Sequence, residues 1–161
     1  MLFLQFITSN KANIREEIFM SVERDIMIDA LKTIVIPELR EKGFKGSFPH
    51  FRRITDKKID ILTFQFDKYG GGFRLEIAVC SPEGLTHDWG EKVTPNKVTA
   101  YHLNIQNRKT ILDNGNWFRY DKKTFFGSVY KKVASKVLKS FKKAEEYWAN
   151  AEFRQFNINS N

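Results

Sequence analysis

The sequence predicts a single α+β domain: a mainly antiparallel sheet of about five strands, with an N-terminal and a C-terminal long helix packed on one of its faces. Three observations carry this. Apolar residues recur at helical spacing through Ile28, Leu31, Val35 and Leu39, and again through Tyr130, Val133, Val137, Leu138, Phe141, Ala144 and Trp148. Between those stretches, IDILTFQF and FRLEIAVC alternate with a period of two, as strands of a sheet covered on one face do. Gly70, Gly71 and Gly72 separate the two runs and are expected to turn the chain between them. A length of 161 residues fits one domain with a normal core.

The first helix is expected from Ser21, which can cap it, with Glu23 in the first turn. Pro37 lacks an N–H and should kink or restart this helix; Gly43 should end it, with Phe44 folding back. Residues 1–20 show no clear apolar period and read as an N-terminal extension. Met20 stands just before the helix as a second candidate translation start, which the intact mass of the natively expressed protein would decide. The domain itself is assigned to residues 21–150, followed by a polar tail over 151–161.

Strands follow at Phe48–Thr55, Ile59–Phe66 and Phe73–Cys80. Leu62, Phe64 and Phe66, with Phe73, Leu75, Ile77 and Val79, form the sheet's half of the expected core; Val35, Leu39, Val133, Val137 and Phe141 form the helices' half. The three glycines do not make a phosphate loop. Such loops precede a helix whose free amides face the anion, whereas FRLEIAVC alternates as a strand. Ser81 to Ala100 is irregular and punctuated by Pro82, Gly84, Gly90 and Pro95; a loop of that length often carries function. Tyr101–Gln106 and Asn116–Asp121 read as two further strands with a turn near Asp113-Asn114-Gly115, and the last helix spans about Phe125 to Asn150.

Composition narrows the class. Hydrophobic residues make up 42% of the chain, an ordinary value for a globular protein, and the 15 phenylalanines fit an aromatic core. One cysteine, Cys80, rules out an internal disulfide and a cysteine cage, so a cytoplasmic protein is the simplest inference. The apolar N-terminal run ends at Thr8, too short to span a bilayer, and no membrane partner is expected. The net charge of +8 is compatible with nucleic acid or an acidic protein as partner, and more than half of it lies in residues 121–161.

IPELREKGFKGSFPHFRR, then IDILTFQF and FRLEIAV, then WFRY, resemble a family of small bacterial domains, domain of unknown function 4304, over roughly Met27 to Trp148. The resemblance supports the fold and implies no activity, cofactor or catalytic residue.

No cofactor, metal site or catalytic set is expected. His50, His87 and His102 form no metal-ligand spacing, and no signature for a nucleophile surrounds Cys80. Three features bear on function. The polar face of the sheet bears Arg74 and Glu76, and Arg119 with Trp117 or Tyr120 can join them according to register, as can Arg52 or Arg53. An uncovered face of arginines and aromatics suits a protein partner, although a cross-strand Arg–Glu pair in water needs no partner. The long loop offers His87, Asp88, Trp89 and Glu91, which have acid–base capacity but also the character of ordinary loop residues. Lys132, Lys136 and Lys139 lie in a lysine stripe that can hold phosphates without sequence preference, as well as keep a helix soluble. The favoured expectation is a non-enzymatic protein-binding or regulatory module; weak nucleic-acid or anion binding by the lysine helix comes second, and an enzyme built on the His87 loop third.

Overall fold

The computed structural model describes the backbone of residues 2–151 and the side chains of residues 11–151. The element order is α1 (Leu2–Glu41), β1 (Lys45–Ser47), β2 (His50–Ile54), β3 (Ile59–Phe66), β4 (Gly72–Cys80), β5 (Leu85–Thr86), β6 (Lys92–Val93), β7 (Arg108–Ile111), β8 (Phe118–Arg119) and α2 (Val129–Asn150). This is the expected α+β architecture. The main sheet is antiparallel in the order β1-β2-β3-β4-β7, with β8 also on β4. Strands β7 and β8 share one edge of β4, and the turn at Asp113–Asn116, with Asn114 and Gly115 both at positive φ, interrupts them.

Both long helices pack on one sheet face, as the alternation predicts. Leu62 pairs with Ile77, Phe64 with Leu75 and Phe66 with Phe73, so these side chains share that face. They meet Met27, Leu31, Val35 and Leu39 of α1 and Val133, Val137 and Phe141 of α2. Phe66 and Val79 are half-buried at its margin. Gly43, at φ +86, ends the α1 turn, and Phe44 folds back to bury itself against Trp148, 4.9 Å between ring centroids.

The glycines turn the chain. Asp67 N–H donates to Gly72 O, and Gly70 and Gly71 take φ +83 and +76. Their lack of Cβ has a second use. A Cβ on Gly71 would lie 2.7 Å from Arg119 Nη2, and one on Gly72 3.0 Å from Arg119 Cδ, so the two glycines seat the Arg119 side chain.

Four expectations are corrected. Ser21 does not cap a helix: α1 runs unbroken from Leu2, because no proline or glycine interrupts residues 2–36. Pro37 does not restart it either; a single proline leaves the neighbouring backbone bonds of a helix anchored by the core residues Val35 and Leu39. Helix α2 starts at Val129, where Ser128 caps it by accepting from Lys131 N–H, and this leaves Phe125 and Phe126 in the preceding loop. Tyr101–Gln106 is not a strand but part of two short 3-10 turns, Ala100–His102 and Ile105–Asn107; the edge strand is Arg108–Ile111. The expected polar tail lies, beyond Ala151, outside the described residues.

The sheet is also covered on both faces over half its length. Ile59, Ile61, Ala78 and Cys80 point away from the helices and form a second core with Val93, Val98 and Ala100, contributed by the excursion over residues 81–107. Arg52 fastens this roof: its Nε donates to Val98 O at 2.9 Å and its Nη1 to Asn96 O.

Burial within this second core pushes the Cys80 thiol up to about 12. The folded thiol therefore stays protonated where a free one ionises. An aromatic disulfide reagent at pH 8 should leave Cys80 unlabelled in the native protein and label it fully after denaturation; fast native labelling would show that the roof is not closed.

Candidate outer-face site

The outer face of the sheet divides into a roofed half and an open half. Register places Gln65 opposite Arg74, Thr63 opposite Glu76, and Gly72 opposite Arg119, all on the side away from the helices. At the open end, Arg74 Nε lies 2.8 Å from Glu76 Oε1 and 3.1 Å from Gln65 Oε1, and the guanidinium carbon sits 5.1 Å from the Trp117 ring centroid. The Arg74 side chain is 27% exposed and its terminal nitrogens have no hydrogen-bond partner among the described residues. Arg119 is committed differently: it binds Asp121 through Nε and Nη2 and lies 3.8 Å from Asp67.

Glu76 is not a surface group. It is 2% exposed and accepts from Thr110 Oγ1 at 3.1 Å as well as pairing with Arg74. The expected open polar face is thus corrected at this position: the roof and the Arg74 side chain cover the carboxylate, which acts as an anchor beneath Arg74.

The roof brings the loop residues to the same side. His87 stacks on Trp89 at 4.2 Å and 5° between planes, while Trp89 Nε1 donates to Glu91. Trp89 is 73% exposed, so it does not anchor the loop on the core. His87 lies 6.1 Å from His102, whose neighbour Tyr101 meets His50 edge-on at 5.6 Å and carries Arg108 over its ring. Burial, and then the Glu76 carboxylate, push the Tyr101 phenol up, with Arg108 and Arg74 opposing. Tyr101, Trp117 and Arg108 therefore join Arg74, His87 and Trp89 along one surface. Reading residues 101–106 as a strand concealed Tyr101, and its position follows only from the roof.

This surface offers stacking rings and a half-engaged guanidinium. Asp88 makes no hydrogen bond to His87 among the described residues; the loop's contacts are the His87–Trp89 stack and the Trp89–Glu91 hydrogen bond. No cluster of three or more His, Cys, Asp or Glu able to hold a metal occurs among the described residues. No helix of the described residues is long and apolar enough to cross a membrane.

Lys132, Lys136 and Lys139 are placed elsewhere, on α2. With Lys131 and Ser135 they line an open depression of ≈ 390 Å³, where Lys136 also pairs with Asp113 at 2.7 Å.

Residues 35–151 match Domain of unknown function (DUF4304), and the chain belongs to that family. No curated protein and no solved structure matches it.

His50 connects the two halves of the face. Its Nδ1 lies 3.1 Å from Thr63 Oγ1, which accepts from Ala100 N–H in the roof at 3.3 Å. Burial lowers the His50 pKa first, then Arg52 and His102. The folded state disfavours imidazolium, so the stabilisation is present above the unfolded value near 6.5 and fades as pH falls below it. The melting temperature should drop between pH 7.5 and 5.5, and less so in His50→Gln. The difference should be a fraction of the roughly 1.4 kcal/mol linked to one pKa unit, since the ring is partly solvated. Identical pH profiles would show that His50 carries none of it.

Proposed function

We propose that this chain is a non-enzymatic binding module of the cytoplasm that needs no cofactor, and that the open half of its outer sheet face receives an acidic protein segment. One observation carries the reading. Arg74 is held through Nε by Glu76 and Gln65, is seated on Trp117, and keeps its terminal nitrogens without a partner among the described residues. A fixed guanidinium with two available N–H groups matches a carboxylate bidentately at small entropic cost, and arginine over an aromatic ring is a frequent centre of protein interfaces. Trp89 and Tyr101 extend the surface, and the net charge of +8 favours an acidic partner. A lone, buried cysteine suits a reducing compartment.

The lysine-lined depression of α2 supports a second reading, weak binding of nucleic acid or another polyanion through Lys132, Lys136 and Lys139. The two readings separate in a tagged pull-down from the native host at moderate salt, with and without nuclease. Arg74→Glu is a poor probe, because it would set a second carboxylate beside the buried Glu76. Arg74→Lys keeps the ion pair and loses the fork. The expected result is a protein partner that survives nuclease and binds Arg74→Lys about tenfold more weakly at an unchanged melting temperature. Loss of all bound material on nuclease treatment, or equal binding by Arg74→Lys, would overturn the outer-face reading.

A further inference from the structure

The loop between β8 and α2 holds the most exposed apolar groups among the described residues. Phe125 is 99% exposed and Phe126 83%. Scattered surface apolar residues are normal, but two adjacent phenyl rings held almost wholly in water are not. The loop is built to hold them out. Thr124 Oγ1 donates to Gly127 O at 3.0 Å, Gly127 takes φ +71, and Ser128 then caps α2. The turn closes under the two rings rather than folding them against the core.

The surroundings of this tip select a partner. The β3–β4 hairpin lies beside the start of the loop, since Tyr120 N–H donates to Gly71 O and Arg119 reaches across Gly71 to Asp121. At the hairpin tip Tyr69 is 71% exposed, with Lys68 Nζ 4.7 Å from its ring centroid. Lys122 and Lys123 precede Phe125, and Lys131 and Lys132 are exposed in the first turns of α2. Of the carboxylates near this end, Asp67 and Asp121 are both engaged with Arg119, Glu23 of α1 is half-buried near Tyr120 and Tyr130, and Glu16 and Glu17 are exposed on α1 about one turn before Met20, which lies against Gly70. Three exposed aromatic rings thus lie on adjoining segments that also carry the exposed Lys68, Lys122, Lys123, Lys131 and Lys132.

We propose that this end is a peripheral docking site for an anionic lipid bilayer, with Phe125 and Phe126 entering the interface and the lysines facing the headgroups. A protein partner would need a pocket matched to a convex tip, whereas a bilayer accepts a protruding apolar pair without one. These lysines complement anionic headgroups, and aromatic rings settle at the headgroup level. The sequence expectation of no membrane partner rested on the lack of a spanning segment, which is a different requirement. The proposal is independent of the outer-face reading: it uses none of the same residues.

The test is sedimentation of the full chain with phosphatidylcholine vesicles, and with vesicles of about one third phosphatidylserine. The expected result is binding to the anionic vesicles alone, lost at high salt, and weakened about tenfold or more in both F125S/F126S and K122E/K123E, with far-UV spectra unchanged. Because Cys80 is buried, Phe126→Cys can be labelled selectively with an environment-sensitive dye. Its emission should brighten and shift to the blue with anionic vesicles. No vesicle binding at low salt, binding unaffected by F125S/F126S, or an unchanged dye signal on bound protein would each overturn the proposal.

Discussion

Arg53 is the junction on which the fold depends. It lies on the helix-facing side of β2, where its guanidinium binds Asp60 Oδ2 of β3 and both Glu145 oxygens of α2. The same group sits 4.8 Å from the Phe44 ring centroid and 5.6 Å from that of Trp148. Lys58 adds a second cation 3.2 Å from Asp60 Oδ1 and donates to Trp148 O. One charged cluster therefore joins the end of α1, the hairpin β2–β3 and the end of α2. Burial opposes the charge on Arg53, but hydrogen bonds to Glu145 and Asp60 outweigh it and raise the pKa. Such a cluster holds only while complete. Swapping a whole buried ion pair for apolar groups can be neutral, whereas removing one partner strands the other in low dielectric.

The second constraint is that the central hairpin is buried from both sides. The helices cover Leu62, Leu75 and Ile77, while the roof covers Ile61, Thr63 and Ala78. The roof stops short of the β3–β4 turn, and this boundary creates the outer-face site. Glu76 lies under its margin and Arg74 just beyond, so a buried carboxylate orients a partly exposed guanidinium. The site is a consequence of incomplete coverage, and its cations stay where they are because buried groups hold them.

Much of the fold was legible because the relevant signals are local. The alternation in β3 and β4 gives the helix-facing side directly, and the glycines between them admit few conformations other than a turn. The roof was less legible although its signal was present. Ile59, Ile61, Ala78 and Cys80 are apolar at positions that alternation assigns to the outer face. Two-sided burial should therefore have been expected at that end, with the polar face confined to Gln65, Arg74 and Glu76. Its other half, Val93, Val98 and Ala100, comes from a stretch without period, where contact is set by tertiary packing alone. The same gap displaced the strand at Tyr101: a six-residue alternation is too short to distinguish an edge strand from two 3-10 turns laid on a sheet. Arg52 and Arg53 illustrate how much depends on register. These adjacent residues of one type fasten opposite faces, one the roof and the other the helices.

The most direct test of this account is equilibrium unfolding of Arg53→Met against the native sequence. Methionine preserves much of the apolar contact with Phe44 and Trp148 while removing the charge that compensates Asp60 and Glu145. The account predicts a loss of about 2–3 kcal/mol, below the full cost of an uncompensated buried charge because Lys58 still pairs with Asp60 and Glu145 is a third exposed, with part of it recovered when Asp60→Asn is added. A loss below about 1 kcal/mol, the range of a surface ion pair, would contradict the central place given to Arg53.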